Sequence, residues 1–376
     1  MGFTSTKENK TKIVDLKIQY SFIKDEIEIA VKSVLSSGSY ILGENVKSFE
    51  DELAKYIGCR YLISCGNGTD AIVLALKALD IGNSDEVITV SHSYFATSEA
   101  IALVGAKPVF VDINESDFCI DISKIEKLIS NKTKAIIPVH LYGQPCEIDS
   151  VIAIAKKHNL YVIEDCAQAI GARFNKKHVG TFGDIGTLSF FPTKNLGAFG
   201  DAGAVIANND EVAEKIRKLR AHGSSKRYIH DYIGLNSRLD EIQAAVLRVK
   251  LKYIEEWNQK RKNAADFYSK VLDKVQSLIL PKTKPNCNHV FHQYTVRVKE
   301  NKRDYLCEKL NELGIESIIY YPVPIHMQKA FDYLGCKEGM LPVTEKICDE
   351  ILSLPIYPEI TEEIQRDITN KVIQLI

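Results

Sequence analysis

Lys194 stands in Ser189-Phe190-Phe191-Pro192-Thr193-Lys194-Asn195-Leu196-Gly197, where an apolar run ends and a proline turns the chain. A lysine amine in a partly desolvated pocket gives up its proton more readily and can form a Schiff base with an aldehyde. The small residues of Gly197-Ala198-Phe199-Gly200-Asp201-Ala202-Gly203-Ala204 leave room beside it for a flat ring. Ser189, five residues earlier, could present a hydroxyl to a phosphate. Taken alone, a lysine in a loop is more commonly a solvated surface charge.

Four other segments carry residue types suited to chemistry. In Ile163-Glu164-Asp165-Cys166-Ala167-Gln168, Asp165 closes a buried apolar run, where a carboxylate is costly without a partner. A protonated ring nitrogen would serve, and so would a lysine or a helix terminus. Ser64-Cys65-Gly66-Asn67-Gly68-Thr69-Asp70-Ala71 sets glycines before an apolar helix, whose free N–H groups suit a phosphate. It is neither a Walker loop nor the GxGxxG fingerprint, and a plain turn with Thr69 or Asp70 as helix cap fits equally. Gly234-Leu235-Asn236-Ser237-Arg238-Leu239-Asp240-Glu241 reads as a helix start with Asn236 or Ser237 as cap. Tyr320-Tyr321-Pro322-Val323-Pro324-Ile325-His326 holds two prolines that extend a loop ending in a histidine.

The elements that must position these groups follow from periodicity. Apolar runs at 61–64, 86–90, 108–111, 135–139, 161–163, 187–190 and 203–207 alternate with helical stretches near 70–80, 95–104, 121–130, 149–158 and 210–220. Buried strands alternating with helices give an α/β domain with a largely parallel sheet, which binds ligands at the carboxyl ends of its strands. Helices over 21–36 and 45–57 precede it, and 238–276 reads as one long helical stretch. Beyond the Pro281–Asn288 break come a strand-like run at 292–298, a helix at 303–313, another such run at 317–321 and a final helix or two. The chain divides into a large domain, 1–250, and a smaller α+β domain, 251–376.

Composition narrows the function classes. With 48 Lys+Arg against 49 Asp+Glu in 376 residues, the net charge is −1, so broad nucleic-acid binding is not expected. No run of 18 apolar residues is present, and the polar start lacks a secretion signal. Gly2 with a hydroxyl at Thr6 fits the loose myristoylation pattern, read here as chance. Nine scattered cysteines without a CxxC pair point to reduced thiols in a cytoplasmic protein and to no metal site.

Taken in order, the five segments resemble the DegT/StrS-type sugar-nucleotide aminotransferases, within the fold-type I (aspartate aminotransferase-like) enzymes that use pyridoxal phosphate. The resemblance runs from Ile13-Val14-Asp15-Leu16 to Leu354-Pro355-Ile356, nearly the whole chain. It implies a large domain built on a mixed, mostly parallel seven-stranded sheet flanked by helices, with a smaller α+β C-terminal domain. It implies pyridoxal phosphate as cofactor and Lys194 as both the Schiff-base lysine and the proton-moving base. Asp165 is then the partner of the pyridine nitrogen and Gln168 of the phenolic oxygen. Gly68, Thr69, Asp70 and Ser189 hold the phosphate, Tyr94 stacks on the ring, and Asn236 reaches the phosphate across a homodimer interface.

The implied reaction moves an amino group from L-glutamate to a nucleotide-linked keto sugar in two half-reactions, with ping-pong kinetics. Members that carry histidine in place of the lysine are dehydratases, and this chain keeps Lys194. The Tyr321–His326 loop is similar to members that aminate C-3, pointing to a dTDP-3-keto-6-deoxyhexose and a dTDP-3-amino-3,6-dideoxyhexose product for glycan biosynthesis. Tyr321 and His326 are the candidates near the sugar, and Lys226 or Arg227 near the pyrophosphate. Phe191 stands where several such members have tyrosine. A UDP-linked 3-keto uronic acid, met by Lys226, Arg227 or Arg238, and a 4-keto sugar nucleotide are the alternatives. A regulatory or sensory protein that binds pyridoxal phosphate is the non-enzymatic one.

Overall fold

A computed structural model describes residues 10–376. The myristoylation pattern and the polar start lie outside the described residues. Helix α1 (Leu16–Ser37) begins before the expected 21, because the Asp15 carboxylate accepts hydrogen bonds from the amides of Lys17 and Ile18. Helix α2 (Glu44–Ile57) follows.

Seven strands form the main sheet: β1 (Tyr61–Cys65), β2 (Glu86–Val90), β3 (Lys107–Val111), β4 (Thr133–Ile137), β5 (Tyr161–Asp165), β6 (Ile185–Ser189) and β7 (Gly203–Ala207). Their order is β1-β7-β6-β5-β4-β2-β3. The five strands from β3 to β6 run parallel, and β7 is antiparallel to both β6 and β1. The sheet is therefore mixed and mostly parallel, with helices on both faces. That is why strands such as β7, buried at every position, read as unbroken apolar runs.

Helices α3 (Gly68–Ala78), α4 (Ala96–Leu103), the short α5 (Ile122–Ile125) and α6 (Ile148–His158) connect strands of this sheet, and α7 (Asp210–Leu219) follows its last strand. Helix α3 buries Ala71, Ile72, Val73, Leu74, Ala75, Leu76 and Ala78, so its N-terminus is fixed at the carboxyl edge of the sheet. The expected helix at 121–130 is α5 followed by a 3₁₀ turn over Glu126–Leu128.

The stretch 238–276 is not one helix. It forms α8 (Glu241–Leu251) and α9 (Ile254–Leu272), separated at Lys252 and Tyr253. Helix α8 packs on α1 and α2, whereas α9 buries Ala264, Ala265, Tyr268 and Leu272 in the C-terminal core. Its start is also later than expected. The Ser237 hydroxyl accepts from the Gly66 amide instead of capping α8, and Asp240 occupies the cap position without a side-chain cap bond.

A second sheet has the order β8 (Leu278–Ile279), β9 (Tyr294–Val298), β10 (Ile351–Leu354), all antiparallel. Helices α10 (Arg303–Glu312), α11 (Pro342–Glu350) and α12 (Glu362–Leu375) complete this part. The run 317–321 is not a strand, and only Ile318 bridges to Ser353. Each sheet has its own apolar core, and we propose the division of the chain near 250 on that basis. All nine cysteines are free. Among the described residues no helix is long and apolar enough to cross a membrane.

Candidate active site

Asp165 ends β5 and is 4% exposed. Its Oδ2 accepts from Thr97 Oγ1 at 2.8 Å and its Oδ1 from the Ala167 amide at 3.0 Å. The neighbouring Glu164 points the other way. Its oxygens accept from His140 Nε2 at 3.0 Å and from the amides of Gly180, Phe182 and Gly183, each at 2.7 Å. That network anchors the strand end that carries Asp165.

Gln168 lies one turn beyond. Its Oε1 accepts from the Tyr142 amide at 2.7 Å, which fixes its Nε2 as the outward donor, and Nε2 reaches Tyr321 Oη at 3.1 Å. Tyr142 adopts φ 57°, a left-handed conformation that a non-glycine residue keeps only when its surroundings hold it. Its hydroxyl contacts His92 Nε2 at 3.0 Å and donates to the Tyr320 carbonyl. Tyr94, 59% exposed, sets its ring 5.9 Å from that of Tyr321. Loop residues far apart in the chain thus meet beyond the carboxyl end of β5.

Lys194 follows β6 in a loop folded tightly on itself. The Lys194 amide donates to the Phe191 carbonyl at 2.8 Å, and a Cβ on Gly197 would lie 2.3 Å from the Pro192 oxygen. Asn195 is tied to Asn258 Oδ1 at 2.8 Å, the Val290 carbonyl at 3.0 Å and His292 at 3.2 Å. Lys250 donates to the Gly197 carbonyl at 2.7 Å. The backbone is held from several sides, while among the described residues the Lys194 amine has neither a hydrogen bond nor an ion pair. Burial lowers its pKa to about 8, partly opposed by the Asp165 charge.

The glycine segment converges on the same place. Asn67, not Thr69 or Asp70, caps α3: its Oδ1 accepts from the Asp70 amide at 2.8 Å. A Cβ on Gly68 would lie 2.7 Å from Ser189 Cβ and 3.0 Å from Ser189 Oγ, so only glycine lets the helix start meet that hydroxyl. Ser237 holds the Gly66 amide at 3.0 Å, and the adjacent Asn236 is exposed.

An unpaired amine, a buried carboxylate, an outward amide donor and a helix N-terminus beside a hydroxyl suit a flat aldehyde cofactor with a ring nitrogen and a phosphate. Lys194, Asp165, Gln168, and Gly68 with Ser189 would hold it.

The sugar candidates separate. Phe191 is 50% exposed beside Lys194. Lys226 and Arg227 lie on an exposed hairpin, Ser224–Lys226 with Ile229–His230, and Arg227 rests over its neighbour Tyr228 at 5.1 Å. His326 is 3% exposed, with Nδ1 2.7 Å from Ser91 Oγ and Nε2 3.1 Å from Glu345 Oε1. Neither of its ring nitrogens is free, so His326 ties its loop to the segment just after β2 and to α11. Sequence reasoning misses Thr97, Tyr142 and Asn195. Asn67 carries a usable signal, a capping residue type directly before an apolar helix.

Relatives across the chain share this architecture. The DegT/DnrJ/EryC1/StrS aminotransferase family matches residues 21–373. The chain is 49% identical over 362 residues to a pleiotropic regulatory protein of Geobacillus stearothermophilus, covering 96% of this chain and 97% of that one. It is 46% identical over 342 residues to the dTDP-3-amino-3,6-dideoxy-alpha-D-galactopyranose transaminase of Aneurinibacillus thermoaerophilus (91% and 93%). It is 45% identical over 358 residues to the UDP-N-acetyl-3-dehydro-alpha-D-glucosamine 3-aminotransferase of Acidithiobacillus ferrooxidans (95% and 96%). The crystal structure of S. venezuelae DesV superposes with a TM-score of 0.94 at 40% identity, covering 97% of this chain and 98% of DesV. The extent of these similarities places the chain in the DegT/DnrJ/EryC1/StrS aminotransferase family.

Proposed function

We propose that this chain is a pyridoxal phosphate-dependent transaminase that moves an amino group from L-glutamate to the C-3 ketone of a nucleotide-linked sugar. The observation that carries the reading is the unpaired Lys194 amine, with its pKa lowered to about 8, held within reach of the Asp165 charge in a chain of this family. The cofactor, when bound, supplies the electron sink and carries the amino group between the two substrates.

The chain's own groups do the rest. Lys194 holds the cofactor and moves the proton between substrate carbon and cofactor. Asp165 keeps the ring nitrogen protonated, and Gln168 Nε2 donates to the phenolic oxygen. The amides of Gly68 and Thr69, the Ser189 hydroxyl and Asn236 of a second copy hold the phosphate in a homodimer, while the Asp70 amide is held by Asn67 and keeps the helix start in place. Tyr94 covers the ring. Tyr321 and Phe191 face the sugar, and Lys226 or Arg227 meets the pyrophosphate.

For the substrate we favour a dTDP-3-keto-6-deoxyhexose over a UDP-linked 3-keto sugar. The support is the dTDP-sugar transaminase relative at 46% identity, although the UDP-sugar relative stands at 45%. Incubation of the pyridoxal phosphate-loaded protein with L-glutamate and each keto sugar, read by mass of the nucleotide sugar, tests this choice. The dTDP-amino sugar is expected to accumulate faster. Exclusive turnover of the UDP sugar overturns the substrate, and turnover of neither overturns the reaction. A regulatory role is the second reading, favoured by the name of the 49% identical relative, and requires cofactor binding without turnover.

A further inference from the structure

The Asp165 carboxylate is served by a line of hydroxyls. The single proton of Thr97 Oγ1 has two acceptors within reach, Asp165 Oδ2 at 2.8 Å and the Tyr94 carbonyl at 3.4 Å. The shorter contact and the negative charge assign it to Asp165. Ser93 Oγ lies 3.0 Å from Thr97 Oγ1, whose own proton is committed, so Ser93 is the donor there. Both side chains are buried, which leaves no bulk water to substitute for either hydroxyl.

Their place in the fold is as specific. Ser93 sits in the loop after β2, and Thr97 is the second residue of α4. Threonine in a first helical turn commonly returns its hydroxyl to a nearby backbone carbonyl. Here the Tyr94 carbonyl is the longer contact, and the hydroxyl turns across to β5. The Ala167 amide holds the other oxygen at 3.0 Å, so the plane of the carboxylate is set from both sides.

We propose that Thr97, backed by Ser93, is a positioning residue that orients Asp165 and stabilises its negative charge toward a protonated ring nitrogen. The proposal rests on the role given to Asp165 above. A hydrogen bond donated to a carboxylate favours its charged form, and a buried carboxylate needs such donors most. Without the Thr97 proton, the proton between Asp165 and its ring partner moves toward the carboxylate. The positive charge opposite Asp165 then falls, and with it both cofactor affinity and the acidity that the site confers on substrate.

The test compares cofactor-free wild type, Thr97→Val and Thr97→Ser by titration with pyridoxal phosphate, followed by visible absorbance. Valine keeps the shape and removes the donor, whereas serine keeps the donor. Loss of a hydrogen bond to a charged group is expected to weaken binding about tenfold in Thr97→Val and to shift the bound-cofactor spectrum. Thr97→Ser is expected to stay within about threefold of wild type, with an unshifted spectrum. With saturating cofactor, kcat of Thr97→Val falls about tenfold while KM for L-glutamate holds, the pattern of a group that does not itself bind glutamate. Should Thr97→Val fail to fold, Ser93→Ala reports on the same line of bonds, with a change of the same sign and about threefold size. Wild-type affinity and spectrum in Thr97→Val, or in Ser93→Ala where that variant replaces it, overturn the proposal. So does failure of Thr97→Ser to recover. A wild type that binds no pyridoxal phosphate overturns the role of Asp165 as well.

Discussion

Tyr321 accepts a hydrogen bond at 3.1 Å from Nε2 of Gln168, a residue 153 positions earlier in the chain. With Gln168 Oε1 held by the Tyr142 amide at 2.7 Å, the side-chain amide cannot turn over without setting its NH2 against the Tyr142 N–H. The Tyr321 hydroxyl, served by Gln168, keeps its own proton available for a substrate oxygen. Tyr321→Phe is expected to slow the keto-sugar half-reaction about tenfold or more, while the L-glutamate half-reaction changes less than threefold. Stability should fall by only about 1 kcal/mol. Single-turnover kinetics of each half-reaction reads the split, and equal slowing of both would contradict it.

Gly68 is a steric requirement. Its missing Cβ would lie 2.7 Å from Ser189 Cβ. Gly68→Ala must push β6 and α3 apart, at a cost of about 1–3 kcal/mol. Retention of pyridoxal phosphate should fall at least tenfold, because the phosphate would lose the closest approach of the helix start. Urea denaturation and equilibrium dialysis measure the two effects. Unchanged retention would remove Gly68 from the phosphate site.

The lowered pKa of Lys194 sets a pH dependence. A solvated lysine is deprotonated only above its ordinary 10.5, whereas burial brings Lys194 to about 8. Only the neutral amine attacks an aldehyde. The rate of pyridoxal phosphate capture by the cofactor-free protein should therefore rise about tenfold per pH unit below 8 and level off above it. A rate that continues to climb toward 10 would show an unperturbed lysine.

Buried histidines make the protein acid-sensitive. Burial lowers His92 and His178 to about 4 and His289 to about 3, each from 6.5. These groups stay neutral in the folded chain while the unfolded chain takes up protons below 6.5. Their contribution is present above 6.5 and is lost as pH falls toward 4, by about 1.4 kcal/mol per imidazole per pH unit. Glu359, raised by burial, acts weakly in the opposite direction. Urea midpoints at pH 7 and pH 5 should differ clearly, and equal midpoints would contradict the burial of these rings.

Much of this is legible in the sequence, for physical reasons. All seven strands are buried on both faces, so their apolar runs stand out, and the functional segments follow them. Lys194, Asp165 and the Gly66–Gly68 segment are readable because a polar group or a glycine after such a run needs a reason. Thr97 and Tyr142 are not readable: one acts through a hydroxyl 68 positions from its partner, the other through a backbone amide 26 positions away. His326 has the sequence setting of a site residue, yet Ser91 and Glu345 occupy both its nitrogens. The break between α8 and α9 has neither glycine nor proline to mark it; tertiary packing on two different cores decides it.

The most direct measurement is the visible absorbance of the pyridoxal phosphate-loaded protein before and after L-glutamate, then after each keto sugar, for wild type and Lys194→Ala. In wild type, L-glutamate should convert the bound-cofactor band to that of the amine form, and a nucleotide-linked 3-keto sugar should restore it. Lys194→Ala should show no conversion. A wild-type band that L-glutamate leaves unchanged would contradict the glutamate-dependent transaminase and favour the regulatory reading. Conversion that persists in Lys194→Ala would contradict the role of that lysine.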